Sequence, residues 1–111
     1  MNLVTIIGNV GKNPELRYTK NGKARFTMTV ATTRKVRDED QTTWHNVECW
    51  DKLAENCGAS IQTGNRVFVT GRLSTYDYED RETGKKKTVV SIVALEAGLA
   101  LSKYAVVVET E

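Results

Sequence analysis

Apolar and polar side chains alternate with a period of two through most of this 111-residue chain, and one short stretch alone repeats at helical spacing. A strand sends successive side chains to opposite faces, so this pattern commits the chain to half-buried sheet with a single helix. The clearest case follows Asn21-Gly22, the strongest short hairpin signal present. There Ala24, Phe26, Met28 and Val30 alternate with Arg25, Thr27, Thr29 and Ala31.

The other elements are read in the same way. Leu3, Val4, Ile6 and Ile7 form a first strand, bent near Gly8 and Gly11 and stopped by Pro14. Residues 34–42 are too polar for a strand interior and read as a mobile loop with a basic start. Thr43 to Trp50 is a third strand. Asp51 is the expected N-cap of a short helix in which Leu53, Ala54, Cys57 and Ile61 share a face, ending near Gly64-Asn65. A fourth strand runs from Arg66 towards Tyr78 with Val67, Val69 and Leu73 on its core face, and a fifth covers Lys86 to Leu95. The charged tip Glu79 to Gly84 joins them, and Tyr104 to Val108 reads as a further short strand. Five strands with one helix between the third and fourth predict an all-β, five-stranded Greek-key barrel, the oligonucleotide/oligosaccharide-binding (OB) pattern, with an extra C-terminal strand. The expected division is an OB domain over residues 1–97 and an extension over 98–111.

A chain of this length builds one core without metal or disulfides. Cys49 and Cys57 form neither a CxxC pair nor a ligand set, so both are expected to be reduced and apolar-facing, with no metal and no cofactor. No run approaches a membrane span and the polar start does not resemble a signal peptide, so a cytoplasmic protein without a membrane partner is expected. Charge is distributed unevenly: residues 1–37 hold eight basic side chains against the single acid Glu15, and the rest holds eight against thirteen. A basic segment in a near-neutral whole suits a directed polyanion surface.

Parity on the third strand carries the functional reading. Trp44, Asn46, Glu48 and Trp50 share one face, and His45, Val47 and Cys49 share the other. Asn46 and Glu48 are poor core residues while Val47 and Cys49 are good ones, so both tryptophans fall on the solvent side. Arg72, Ser74, Tyr76 and Tyr78 likewise oppose Val67, Val69 and Leu73. Aromatics interleaved with polar residues form a platform on which unstacked bases stack at about 1–3 kcal/mol each. Arg34, Lys35 and Arg37 supply phosphate neutralisation beside it, and the Lys85-Lys86-Lys87 run is the weaker candidate. His45, the one histidine, has no nucleophile or metal partner at recognisable spacing and reads as a hydrogen-bonded packing residue. No P-loop, GxGxxG, HExxH or GxSxG motif is present, so no enzymatic activity is expected.

Several segments together, in this order, resemble the bacterial single-stranded DNA-binding protein family over residues 1 to about 97. They are Asn2 to Gly11, Asn13 to Tyr18, Trp44-His45-Asn46-Val47, Trp50 to Glu55 and Val69-Thr70-Gly71-Arg72-Leu73. The resemblance implies an OB fold assembled as a homotetramer that wraps single-stranded DNA in replication, recombination and repair, without sequence preference or catalysis. It places stacking at Trp44, Trp50 and Tyr78 and phosphate contacts at Arg17, Lys52 and the Arg34–Arg37 loop, to which strand parity adds Tyr76 and Arg72 as candidate contacts. It implies subunit contacts through Asn2, Val4, Ile6 and His45, and a clamping strand containing Tyr104 and Val106 like that of actinobacterial members. Val36 replaces a loop tryptophan of enterobacterial relatives, Asn46 an arginine, and Gln62-Thr63 a basic pair, so weaker or more salt-sensitive binding is expected. The family's linker and acidic tip are not seen in this sequence, and tail-recruited enzyme partners are not expected of it. The competing readings are a short paralogue handling incoming DNA and, from another class, a protein-interaction OB module similar to primosomal replication protein N.

Overall fold

A computed structural model describes residues 1–109. Its elements run β1 (Val4–Val10), β2 (Glu15–Tyr18), β3 (Ala24–Val36), β4 (Glu39–Trp50), α1 (Asp51–Ser60), β5 (Arg66–Glu79) and β6 (Lys86–Leu99). The sheet order is β1-β5-β6-β4-β3-β2, and β3 returns to β1 through Asn9↔Ala31 and Val10↔Val30, which closes five strands into a barrel. The β4–β6 pairing is parallel and the others are antiparallel, the Greek-key arrangement of an OB fold. β1 can serve two neighbours because Gly8 lets the backbones approach: a Cβ there would strike the Ala31 carbonyl.

The alternation of β3 is realised as read. Ala24, Phe26, Met28 and Val30 point inward and meet Val47 and Cys49 of β4, Val67 and Val69 of β5, and Ile92 of β6. Helix α1 adds Ala54 and Cys57, and Ile61 follows at its end. Each large apolar side chain removed from water contributes about 1.5–3 kcal/mol before ordering costs.

The structure corrects several expectations. Residues 34–42 are not a loop: β3 and β4 stay in register from Arg25↔Trp50 to Val36↔Glu39. The turn is made by Arg37 and Asp38 alone, both at positive φ (51° and 66°), the left-handed pair of a tight hairpin. Polarity misled because this ribbon has left the barrel and both its faces meet water; Thr32, Thr33, Thr42 and Thr43 supply the β-branched preference for extended chain. Glu15–Tyr18, read as no element, forms β2 on the outer edge of β3. It is this strand, and not residues 104–108, that lies outside the barrel.

Residues 104–108 form no strand. The chain turns at Leu101–Lys103, the Arg66 N–H donates to the Tyr104 hydroxyl (2.8 Å), and Val106 and Val108 lie with Leu53, Asn56 and Ile61 along an apolar groove. The segment thus folds back over α1 and the end of β6, where Glu96 to Leu99 line the same groove. Asp51 does not cap α1. Trp50 holds the N-cap position without a side-chain bond, Asp51 is the first helical residue at φ 59°, and the helix ends at Ser60 rather than near Gly64. Leu73 is 41% exposed rather than core. The β1 pairing stops at Val4↔Gly71, and beyond it β5 pairs with β6 alone as a projecting arm.

Candidate nucleic-acid interface

The strand registers place the polar parities of five strands on one continuous outer face. Across it run the rows Arg17–Arg25–Trp50, Thr27–Glu48–Val93–Arg72 and Thr29–Asn46–Ser91–Ser74. Trp44 extends the face beyond Asn46, and along the projecting arm Tyr76 pairs with Val89 and Tyr78 with Lys87. Trp44 is 60% exposed, Tyr76 57% and Tyr78 45%, while Trp50 is half-buried. Two tryptophans and two tyrosines thus stand on one surface, spaced by hydroxyls and amides, which is the arrangement that parity anticipated.

Local contacts set each ring. Gly11, whose N–H donates to the Thr29 carbonyl (2.8 Å), leaves the space that Trp44 occupies; a Cβ there would meet both the Trp44 ring and the Thr29 hydroxyl. Over Trp50 the Arg25 guanidinium lies 5.6 Å from the ring centroid, a cation–π distance. Arg25 donates from Nε (3.2 Å) and a terminal nitrogen (2.9 Å) to Oε2 of Glu48. Lys12, Asn13, Arg25, Asn46, Glu48 and Tyr76 are among the residues around a cavity of about 330 Å³ at the centre of the face.

The cations are distributed around this centre. Arg17 is exposed and paired with Glu15; Lys52 is exposed on the first turn of α1, two residues after Trp50; Arg72 is exposed on β5. Of the three basic residues on the β3–β4 ribbon, register puts Lys35 on the Trp44 side, Arg34 on the opposite side, and Arg37 at the turn. Lys87 is engaged by Asp80 (3.2 Å), whose carboxyl is held below its ordinary range by the Glu82 backbone N–H and then by Lys87. The hairpin tip is therefore an internally paired structure.

The expected packing histidine is hydrogen-bonded: Nε2 of His45 lies 2.9 Å from the Thr32 hydroxyl. Val4 and Ile6 pack against the core, so the outward side chains of β1 are Thr5 and Ile7, and Asn2 accepts from the Leu73 N–H (3.1 Å). Cys49 and Cys57 are free and buried with their sulfurs 4.0 Å apart, and the contact with Cys57 keeps the proton on Cys49, pushing its thiol up. Tyr18, outside the aromatic face, donates to Glu55 (3.1 Å), and that bond raises its hydroxyl above the ordinary value. Sequence reasoning missed Arg25 and the Lys12-Asn13 corner. The signal for Arg25 was present, since it shares parity with Thr27 and Thr29 on a strand whose other face is core. Nothing local placed Lys12 beside Asn46. Among the described residues no three His, Cys, Asp or Glu side chains gather to hold a metal, and no helix is long and apolar enough to cross a membrane.

A closed OB barrel with exposed aromatics and a scatter of cations on one face defines the class of oligonucleotide-binding barrels. Residues 1–100 match the Single-strand binding protein family, and the chain belongs to that family. It is 35% identical over 101 residues to Single-stranded DNA-binding protein 1 of Chlorobaculum tepidum, covering 86% of this chain and 62% of that one. It is 40% identical over 109 residues to the Single-stranded DNA-binding protein of Mycobacterium leprae, with 92% and 64% covered, and 39% identical to that of Mycolicibacterium smegmatis, with 92% and 65% covered. The chain thus spans less than two-thirds of the length of these relatives.

Proposed function

We propose that this protein binds and protects single-stranded DNA during replication, recombination and repair, as a passive binder without catalysis. The observation that carries the reading is the shared face of Trp44, Trp50, Tyr76 and Tyr78 set among polar residues. Bases in a duplex are already stacked and hide their π-faces, so open aromatics select single strands. Arg17, Arg25, Lys35, Arg37, Lys52 and Arg72 neutralise phosphates, which carry no sequence information. The names of the relatives support the same ligand. The OB domain, which runs to the end of β6 at Leu99 rather than stopping at residue 97, does the binding, and the residues after it serve as an extension. Its place of action is the cytoplasm, at the nucleoid.

The protein works as a homo-oligomer, a tetramer by family analogy. Exposed Leu3 and Ile7, with half-buried Phe68 in register with Ile7, leave an apolar outer patch on β1 and β5 that favours a second copy. Contacts through Asn2, His45, Tyr104 and Val106 belong to this proposal.

The test is an intrinsic tryptophan fluorescence titration with a mixed-sequence single strand of several tens of nucleotides, set against duplex and repeated at two salt concentrations. Deep quenching by the single strand alone, weakening as salt rises, is expected. A face that docks protein instead gives no quenching even at low salt, and that result overturns the reading.

A further inference from the structure

A carboxylate stands in the middle of a face that would hold a polyanion. Glu48 occupies that place, and it already holds the arginine that lies over Trp50. Arg25 is in register with Arg17 on one side and with Trp50 on the other. It turns its Nε and one terminal nitrogen to Oε2 of Glu48, at 3.2 and 2.9 Å. The Glu48 side chain is 19% exposed against 45% for Arg25, so the anion is the fixed member of the pair and the cation the one free to swing. Lys12, beside the central cavity, and Lys35, on the Trp44 side of the β3–β4 ribbon, take part in no ion pair among the described residues. The face therefore has open cations towards Trp44 and an occupied one at Trp50.

We propose that Glu48 is an internal competitor for Arg25: a phosphate of the bound strand takes the guanidinium from Glu48, and Glu48 retakes it as the strand leaves. The proposal rests on the single-strand-binding reading and adds to it a positioning residue that hastens release. Nε and its neighbouring terminal nitrogen form the edge of a guanidinium that matches carboxylate and phosphate alike, so the two anions want the same donors. Both cannot hold them without standing against each other. Glu48 is tethered two residues from Trp50 on the same strand, so it is present at high effective concentration whenever the phosphate contact loosens. It therefore acts on dissociation. Simple repulsion of the strand by the same carboxylate acts at longer range, on association, and fades as salt rises.

The experiment follows end-labelled oligothymidine by stopped-flow anisotropy, binding it and then chasing it with unlabelled strand. The proteins are the wild-type chain, Glu48→Gln, Arg25→Ala and the double variant. Glu48→Gln is expected to release the strand about two- to fivefold more slowly, the effect of removing a partly exposed ion partner, with the association rate unchanged. In the Arg25→Ala background the same substitution leaves dissociation unaltered, because no cation remains to compete for. Release that is unchanged or faster in a folded Glu48→Gln overturns the proposal, the latter making Glu48 a support that readies Arg25 for phosphate. A change confined to association overturns it in favour of repulsion, as does equal slowing without Arg25. One measurement needs no Glu48 variant to fold: the wild-type Arg25 Nε–H resonance, assigned by its loss in Arg25→Ala, shifts on saturation with oligothymidine as its partner changes. A resonance that stays in place overturns the exchange. Failure of the wild type to bind overturns the single-strand reading and the proposal with it, an outcome distinct from binding with unaltered rates.

Discussion

At one end of the outer face of β4 the Trp44 indole stands 60% exposed against Gly11 and Thr29; at the other end Trp50 lies half-buried beneath the Arg25 guanidinium. The two rings share a strand, a parity and a chemistry, so their difference comes entirely from neighbours on other strands. Trp44 is open because Gly11 presents no side chain to cover it. Trp50 brings its own cation, which Glu48 holds in place. An aromatic face is therefore graded: one ring is free for a base, and the other is preordered and already charged for a phosphate.

The largest expected effect belongs to Trp44→Ala. Loss of an open stack lowers affinity for single strands by about 5- to 150-fold, read by anisotropy, with the salt slope unchanged. Trp50→Ala is expected to cost less affinity and more thermal stability, since that ring is packed; the reverse order in a paired titration and melt breaks the comparison. Gly11→Ala ranks next. Its Cβ pushes the Trp44 ring from its seat, so affinity falls in the direction of Trp44→Ala while the fold persists, with a shifted tryptophan emission.

Arg25→Ala sharpens the other end. Removing a cation–π contact of about 0.5–1 kcal/mol uncovers Trp50, and removing one phosphate contact reduces the magnitude of the log–log salt slope by about one. An unchanged slope makes Arg25 a cover for the ring and nothing more. The smallest effect is expected in the arm that carries Tyr78. The Asp80 carboxyl is held below its ordinary value of 3.8 by the Glu82 N–H and by Lys87, so its contribution is present above that pH and is lost as pH falls through the lower folded-state value. Asp80→Asn should lower the melting temperature slightly at pH 7, with the difference closing below pH 3.8.

The barrel was legible from β3 and from the second half of β4, where one face is core and the pattern has to alternate. Where both faces meet water the pattern carries no such signal, and Arg34 to Thr42 read as a loop although it is paired residue by residue. Tyr104 to Val108 failed for the opposite reason. A run of valines favours extended chain, but a strand also needs ladder pairing, and only the tertiary path shows that Val106 and Val108 settle into the groove between α1 and the end of β6 without it.

The site divides along the same line. Parity is a property of one strand, so the sequence by itself determined that Trp44, Trp50, Tyr76 and Tyr78 leave the core, and the composition of residues 1–37 determined that this part of the chain is basic. Register between strands distant in the chain is decided by closure of the barrel. Only that closure set Arg25 over Trp50, brought Gly11 under Trp44, and joined Asn46 and Glu48 to Tyr76 around one cavity. A strand dictates which way its side chains point, and the packed core dictates whom they meet.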